Sequence, residues 1–300
     1  MAVGAISLPV SQSEALSRAR QRAALIPDLL VDAKRLASTT INGWHGRRRR
    51  GIGENFWQFR PYVDGEAVSR IDWRRSARDD HTYIRDQEWE AAHTIWLWAD
   101  PSASMLFQSK TAQVSKESRA MVLMLALAEL LSRSGERIAW PGIAAPFSSR
   151  NGAEKLSLRL SEVPDHSKPD FTSVKRFSEL VIASDFLDPV EHIIARFQPL
   201  ADRGVKGHFI EICDPVEETF SYSGRLEFRD PETGERLKVG RAENFADDYR
   251  ALFLARRETL RTWAGRLGWS YSTNRTDRPA SETLARIHLL MSENAENRRF

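Results

Sequence analysis

Asp100, Ser102 and Ser104 stand at alternate positions of Asp-Pro-Ser-Ala-Ser, directly after the apolar run Thr94–Ala99. One carboxylate and two hydroxyls on a tight loop supply three hard oxygen donors. Mg2+ and Mn2+ take ligands of this kind and complete their shell with water. The same residue types also make ordinary turns at strand ends, so the reading depends on what the fold brings alongside.

A second apolar run, Leu180–Ala183, ends on Ser184-Asp185-Phe186. Ligands of open α/β sheets bind outside the carboxyl ends of the strands. If the two strands are neighbours, Asp185 faces the same crevice as Asp100. The competing reading makes Asp185 an acidic residue at the start of the helix that begins near Asp188.

Other chemistry is poorly supported. The seven histidines are scattered without metal-ligand spacing, and Cys213 lies in an apolar strand, where it reads as a small buried hydrophobe. Gly51-Ile-Gly53 lacks the Lys-Ser/Thr ending of a phosphate-binding loop, so no ATP hydrolysis is expected. No nucleophile elbow surrounds Ser102. No catalytic residue and no organic cofactor site is assigned.

The elements that must position these loops alternate from residue 91 onward. Strands are expected at 94–99, 138–145, 180–183, 207–213 and 269–273. Helices are expected at 116–134, 152–163, 190–201, 249–267 and 279–291, several of them ended by glycine. Such alternation implies an α/β, Rossmann-like fold: a mostly parallel sheet with helices on both faces. Aromatic and apolar residues around Asp230-Pro-Glu-Thr-Gly234 predict a hairpin near 220–240 added to that sheet. Residues 1–40 read as a helical N-terminal arm, with Ser13 capping one helix and Pro27-Asp28 beginning another. Residues 41–90 form an accessory basic and aromatic lobe, and 91–300 the α/β domain.

The chain of 300 residues carries 41% hydrophobic and 28% charged residues and a net charge of +3, which is ordinary for a globular protein. The arginine run Arg47–Arg50 and the basic residues after it are interleaved with Glu54, Asp64, Glu66, Asp72, Asp79, Asp80 and Asp86. That mixture favours internal ion pairing or a protein interface over a nucleic-acid track. In particular, Asp72 is expected to pair with a nearby arginine, and Trp73 is a candidate interface anchor. A single cysteine fits a reducing compartment. No apolar stretch is long enough to span a bilayer and the N-terminus lacks a basic leader, so a cytoplasmic protein is expected.

The order of motifs in 47–105 carries a family resemblance. It runs Arg47-Arg-Arg-Arg-Gly-Ile-Gly-Glu-Asn-Phe56, Phe59-Arg-Pro-Tyr62, Asp64-Gly-Glu66, Arg70-Ile-Asp-Trp73, Ser76-Ala-Arg78 and Tyr83-Ile-Arg85, then Asp-Pro-Ser-Ala-Ser-Met105. With Ser184-Asp-Phe186 and Asp214-Pro215…Glu217, it resembles the domain of unknown function 58 family. The resemblance implies a von Willebrand A-like fold in which Asp-x-Ser-x-Ser opens a metal-ion-dependent adhesion site (MIDAS). Such a site also takes a threonine from an intervening loop; Thr172 is the candidate and Thr111 the alternative. The implied metal residues are therefore Asp100, Ser102, Ser104, Thr172 and Asp185, with Mg2+ or Mn2+. The resemblance also implies work with a MoxR-type AAA+ ATPase in assembling or activating other proteins.

The leading expectation is a non-enzymatic, chaperone-like adaptor that binds an acidic residue of a protein partner through the metal. The alternative is a Mg2+-dependent phosphoesterase using the same acids.

Overall fold

The computed structural model describes residues 12–43, 56–63, 68, 71–78, 81–87, 93–163, 169 and 171–297. The arginine run Arg47–Arg50, with Arg70, Asp79 and Asp80, lies outside the described residues. The chain forms two compact units: one runs to Gly43 and resumes at His93, and the other lies within 44–92.

One helix, α1 (Gln12–Gly43), opens the described chain, with Pro27 inside it rather than at a break between two helices. An internal proline costs about 3 kcal/mol or more. Packing outweighs that cost here: Ile26, Ala33 and Ala37 are buried in the main core, against helices that follow the first strand of the large unit.

In the smaller unit, β1 (Phe56–Pro61) pairs antiparallel with β2 (Tyr83–Gln87), and the short α2 (Trp73–Ser76) lies between them in sequence. Asp72 caps α2, its Oδ1 accepting from Arg75 N at 2.9 Å. Among the described residues, the Asp72 side chain makes this backbone cap and no arginine ion pair. Ser76 Oγ donates to Asp72 O and accepts from Tyr83 N, both at 2.8 Å, which ties the turn to β2.

The large unit is built on β3 (Thr94–Ala99), α3 (Lys116–Arg133), β4 (Arg137–Trp140), β5 (Ala144–Phe147), α4 (Gly152–Glu162), β6 (Glu179–Ser184), α5 (Val190–Asp202), β7 (Lys206–Cys213), α6 (Pro215–Thr219), β8 (Leu226–Arg229), β9 (Arg236–Val239), α7 (Ala246–Arg266), β10 (Ser270–Arg275) and α8 (Ala280–Asn297). The main sheet runs β10-β7-β6-β3-β4-β5. All its pairings are parallel except β4 with the edge strand β5. The sequence predicts one strand over 138–145; instead Pro141-Gly142 folds it into a hairpin, with Gly142 at φ +74°.

Helices α1, α3, α4 and α8 interlock on one face of the sheet. On the other face, Phe209 of β7 stacks on Trp263 of α7 and meets Phe197 of α5 edge-on. The central strands are therefore apolar on both sides, and α3 is buried nearly all round.

The β8–β9 hairpin is not added to the main sheet. It is a separate two-stranded sheet, because Phe220, Val239 and Ala242 form a small core of their own with Tyr222, Phe228 and Tyr249.

Candidate functional site

The sheet delivers Asp100 to its carboxyl edge. Asp100 N donates to Ala183 O at 2.8 Å, carrying the β3–β6 pairing one residue past β3. Asp100 thus lies beside the end of β6. Its Oδ2 accepts from Ser184 Oγ at 2.6 Å and its Oδ1 from Ser102 N at 2.9 Å. A single 3-10 turn, Ala103–Leu106, follows and is anchored by the fully buried Met105. Ser102 Oγ and Ser104 Oγ lie 3.1 Å apart. Burial pushes the Asp100 carboxyl above its ordinary range; the bond from Ser184 opposes this and the charge of Asp185 adds to it.

Behind this loop lies a buried ion cluster. Lys116 is the first residue of α3, where a cation opposes the helix dipole. Its side chain is fully buried, and Nζ donates to Asp185 Oδ2 at 2.9 Å and Glu217 Oε1 at 2.5 Å. Burial lowers the affinity of this amine for its proton, but Asp185 and Glu217 outweigh it and hold Lys116 above its ordinary value. Asp185 Oδ1 also accepts from Leu187 N at 3.2 Å. Glu217 closes a capping box with Asp214 at the start of α6, and Asp214 Oδ2 accepts from Ser109 N at 2.8 Å. The Asp214-Pro…Glu217 segment therefore ties the ends of β6 and β7 to the loop after β3.

Asp100, Ser102 and Ser104 lie together on one loop, linked through Ser102. Asp185 is close enough for its charge to act on Asp100, with its oxygens on Lys116 and the Leu187 amide. Thr172 lies on the exposed turn leading into β6. That turn is tied to the end of α5 through Arg203 Nη2 to Phe171 O and Phe177 N to Gly204 O, both 3.4 Å. This puts it where β6 starts, whereas Asp100 sits where β3 ends. Thr111 Oγ1 lies 2.9 Å from Ser109 Oγ, on the loop bound to Asp214.

Sequence reasoning missed Ser184, Lys116 and Glu217 as neighbours of the site. A lysine set against the dipole at a helix start was the one local signal for Lys116. Among the described residues, no group of three or more His, Cys, Asp or Glu is placed to hold an ion; the cluster here is one carboxylate with hydroxyls. Leu106, Phe107 and Leu187, next to the site in sequence, are exposed apolar residues. Cys213 is buried, and burial pushes its thiol up to about 12, which suits a packing role and not a nucleophile.

The family model described as "Protein of unknown function DUF58" matches residues 58–259. The chain belongs to the DUF58 family. This DUF58 chain is 27% identical over 281 residues to the uncharacterized protein Rv1480 of Mycobacterium tuberculosis, covering 85% of each chain. The uncharacterized protein Mb1516 of Mycobacterium bovis matches to the same extent. Among solved structures, the conserved hypothetical protein BatB from Bacteroides thetaiotaomicron aligns with a TM-score of 0.38 at 15% identity, over 67% of this chain and 99% of that one. An aerotolerance-related membrane protein from Bacteroides fragilis aligns with a TM-score of 0.39 at 13% identity over the same shares. Among the described residues of this DUF58 chain, no helix is long and apolar enough to cross a membrane.

Proposed function

We propose that this DUF58 chain is a non-enzymatic interaction module that docks an acidic residue of a protein partner at the carboxyl end of β3. The observation carrying this reading is the convergence of Asp100, Ser102 and Ser104, with the two hydroxyls 3.1 Å apart. Five parallel strands, an antiparallel edge strand and helices on both faces support a von Willebrand A-like assignment, in which this loop is the MIDAS.

The donor chemistry fits Mg2+ or Mn2+. The oxygens are hard, and a cation would relieve the unfavourable burial of Asp100 beside Asp185. Asp100, Ser102 and Ser104 would hold the ion, with Asp185 shaping the charge behind them while bound to Lys116. Thr172 falls outside this donor set. When bound, the ion supplies an open position for a partner carboxylate. Leu106, Phe107 and Leu187 flank the site in sequence and suit an apolar rim around that contact.

The proposed partner is a MoxR-type AAA+ ATPase, acting with this chain in the cytoplasm to assemble or activate other proteins. Family membership motivates the partner, and the rigid yet accessible strand-end loop motivates the face. The test is binding of the purified ATPase to wild type and Asp100→Asn, in Mg2+ and in chelator. Binding should fall at least about tenfold with chelator or with the substitution, the effect of losing one charge-assisted contact. Equal binding in all four conditions rejects the reading. Mg2+-dependent phosphatase turnover that Asp100→Asn removes would replace it with the phosphoesterase alternative.

A further inference from the structure

The β8–β9 hairpin reaches across to the same loop. Glu232 Oε1 accepts a hydrogen bond from Ser104 N at 3.5 Å, across 128 residues of sequence. The turn that carries Glu232 is firmly built. Asp230 Oδ1 accepts from Glu232 N at 2.7 Å and Thr233 N at 3.2 Å. Gly234 N donates to Asp230 O at 2.9 Å, with Gly234 in the left-handed region at φ +76°. Thr233 is buried, and its Oγ1 accepts from Glu235 N at 3.2 Å. Thr233 anchors the turn, while its neighbour Glu232 stays exposed at the tip.

The hairpin has an apolar cluster separate from the main core. Such an element can open at lower cost than the strands of the sheet. The placement is also electrostatically particular. Asp188, Asp100 and Asp185 all lie near enough for their charges to act on the Glu232 carboxylate. A carboxylate set among acids is unfavourable unless a donor or a cation holds it there.

We propose that the β8–β9 hairpin is a strap that lays the chain's own Glu232 carboxylate over the strand-end site, in the place a partner's acidic residue takes. The identity of that competitor rests on the proposed function; the Glu232–Ser104 contact does not. An internal carboxylate reduces a partner's apparent affinity by the fraction of molecules with the strap closed. The site then answers only to an acidic residue that gains further contacts, and the exposed Leu106, Phe107 and Leu187 are apolar surface for such contacts.

Two measurements on the full chain test the strap. The first is hydrogen exchange over 99–107 in metal-free protein, comparing wild type, Glu232→Ala and the control Glu235→Ala on the same turn. Exchange at Ser104 should be about two- to tenfold faster in Glu232→Ala, the effect of one lost hydrogen bond, and unchanged in the control. Equal rates in wild type and Glu232→Ala overturn the strap. The second is water-proton relaxation by bound Mn2+, titrated with acetate as the carboxylate probe. Glu232→Ala should admit more water to the ion and acetate should displace it, while wild type should be insensitive to acetate. The same acetate response in both proteins also overturns the strap. Absence of Mn2+ binding in both sinks the metal reading instead, and the exchange result still decides the strap.

Discussion

Lys116 Nζ lies 2.9 Å from Asp185 Oδ2, with the two side chains 0% and 5% exposed. The pair joins the start of α3 to the end of β6, and Glu217 extends it to α6. Removing one partner of a buried pair leaves a desolvated charge and costs about 3–5 kcal/mol. Lys116→Met should destabilise by that amount in chemical denaturation. Adding Asp185→Asn should recover part of the loss. Strictly additive effects would mean that the two side chains are not coupled.

Asp100 behaves in the opposite way. Burial and Asp185 raise its folded pKa above the unfolded value. Its contribution to stability is therefore present at low pH and is lost as pH rises through the raised pKa. Asp100→Asn keeps the shape and removes the charge, so at neutral pH the metal-free variant should melt no lower than wild type. Mn2+ affinity of wild type should rise with pH through the same titration. A clear fall in melting temperature for Asp100→Asn would show that the ionised carboxylate stabilises the loop without metal.

Glu179, at the start of β6, is buried between two histidines. His208 Nε2 is 3.2 Å from Oε2 and His93 Nε2 is 3.5 Å from Oε1. Burial pushes this carboxyl up, but the bonds from His208 and His93 outweigh it and hold it well below the ordinary glutamate range. A depressed folded pKa gives stability that is present above the unfolded value, about 4.3, and is lost as pH falls toward the folded one. Glu179→Gln should flatten the acid limb of the stability profile. Parallel acid limbs for the two proteins would refute this role.

Gly207 in β7 lies under the Trp269 indole. A Cβ there would come within 1.9 Å of the ring, and Trp269 Nε1 is fixed by a 3.0 Å bond to Val205 O. Gly207→Ala should cost about 1–3 kcal/mol or more through overpacking. Gly265→Ala, on the open surface of α7, should instead be neutral or stabilise by up to about 1 kcal/mol. Similar melting temperatures for the two variants would contradict the close approach.

Much of the large unit was legible because its elements are apolar runs with clear ends. Thr94–Ala99, Lys116–Arg133 and Lys206–Cys213 fall where periodicity predicts them. That Asp100, Ser102 and Ser104 share one strand-end loop was legible because two-residue spacing is local information. Local rules failed where distant packing decides. Pro27 reads as a break, but α1 is held through it by the main core. The run 138–145 hides a turn at Pro141-Gly142, and the 220–240 hairpin packs on itself. Asp72 reads as an ion-pair partner among arginines, yet caps four residues of helix; Asp72→Ala should therefore cost about 1 kcal/mol. Lys116 and Glu217 are 101 residues apart, and no sequence pattern announces such a pairing.

Calorimetric titration of Mg2+ and Mn2+ into wild type and Asp100→Asn decides whether the loop after β3 holds an ion. Wild type should bind one ion per chain, more tightly as pH rises, and Asp100→Asn should bind none. Binding of equal strength in both proteins, or no binding by wild type at millimolar metal, would contradict a metal-centred docking site at the end of β3.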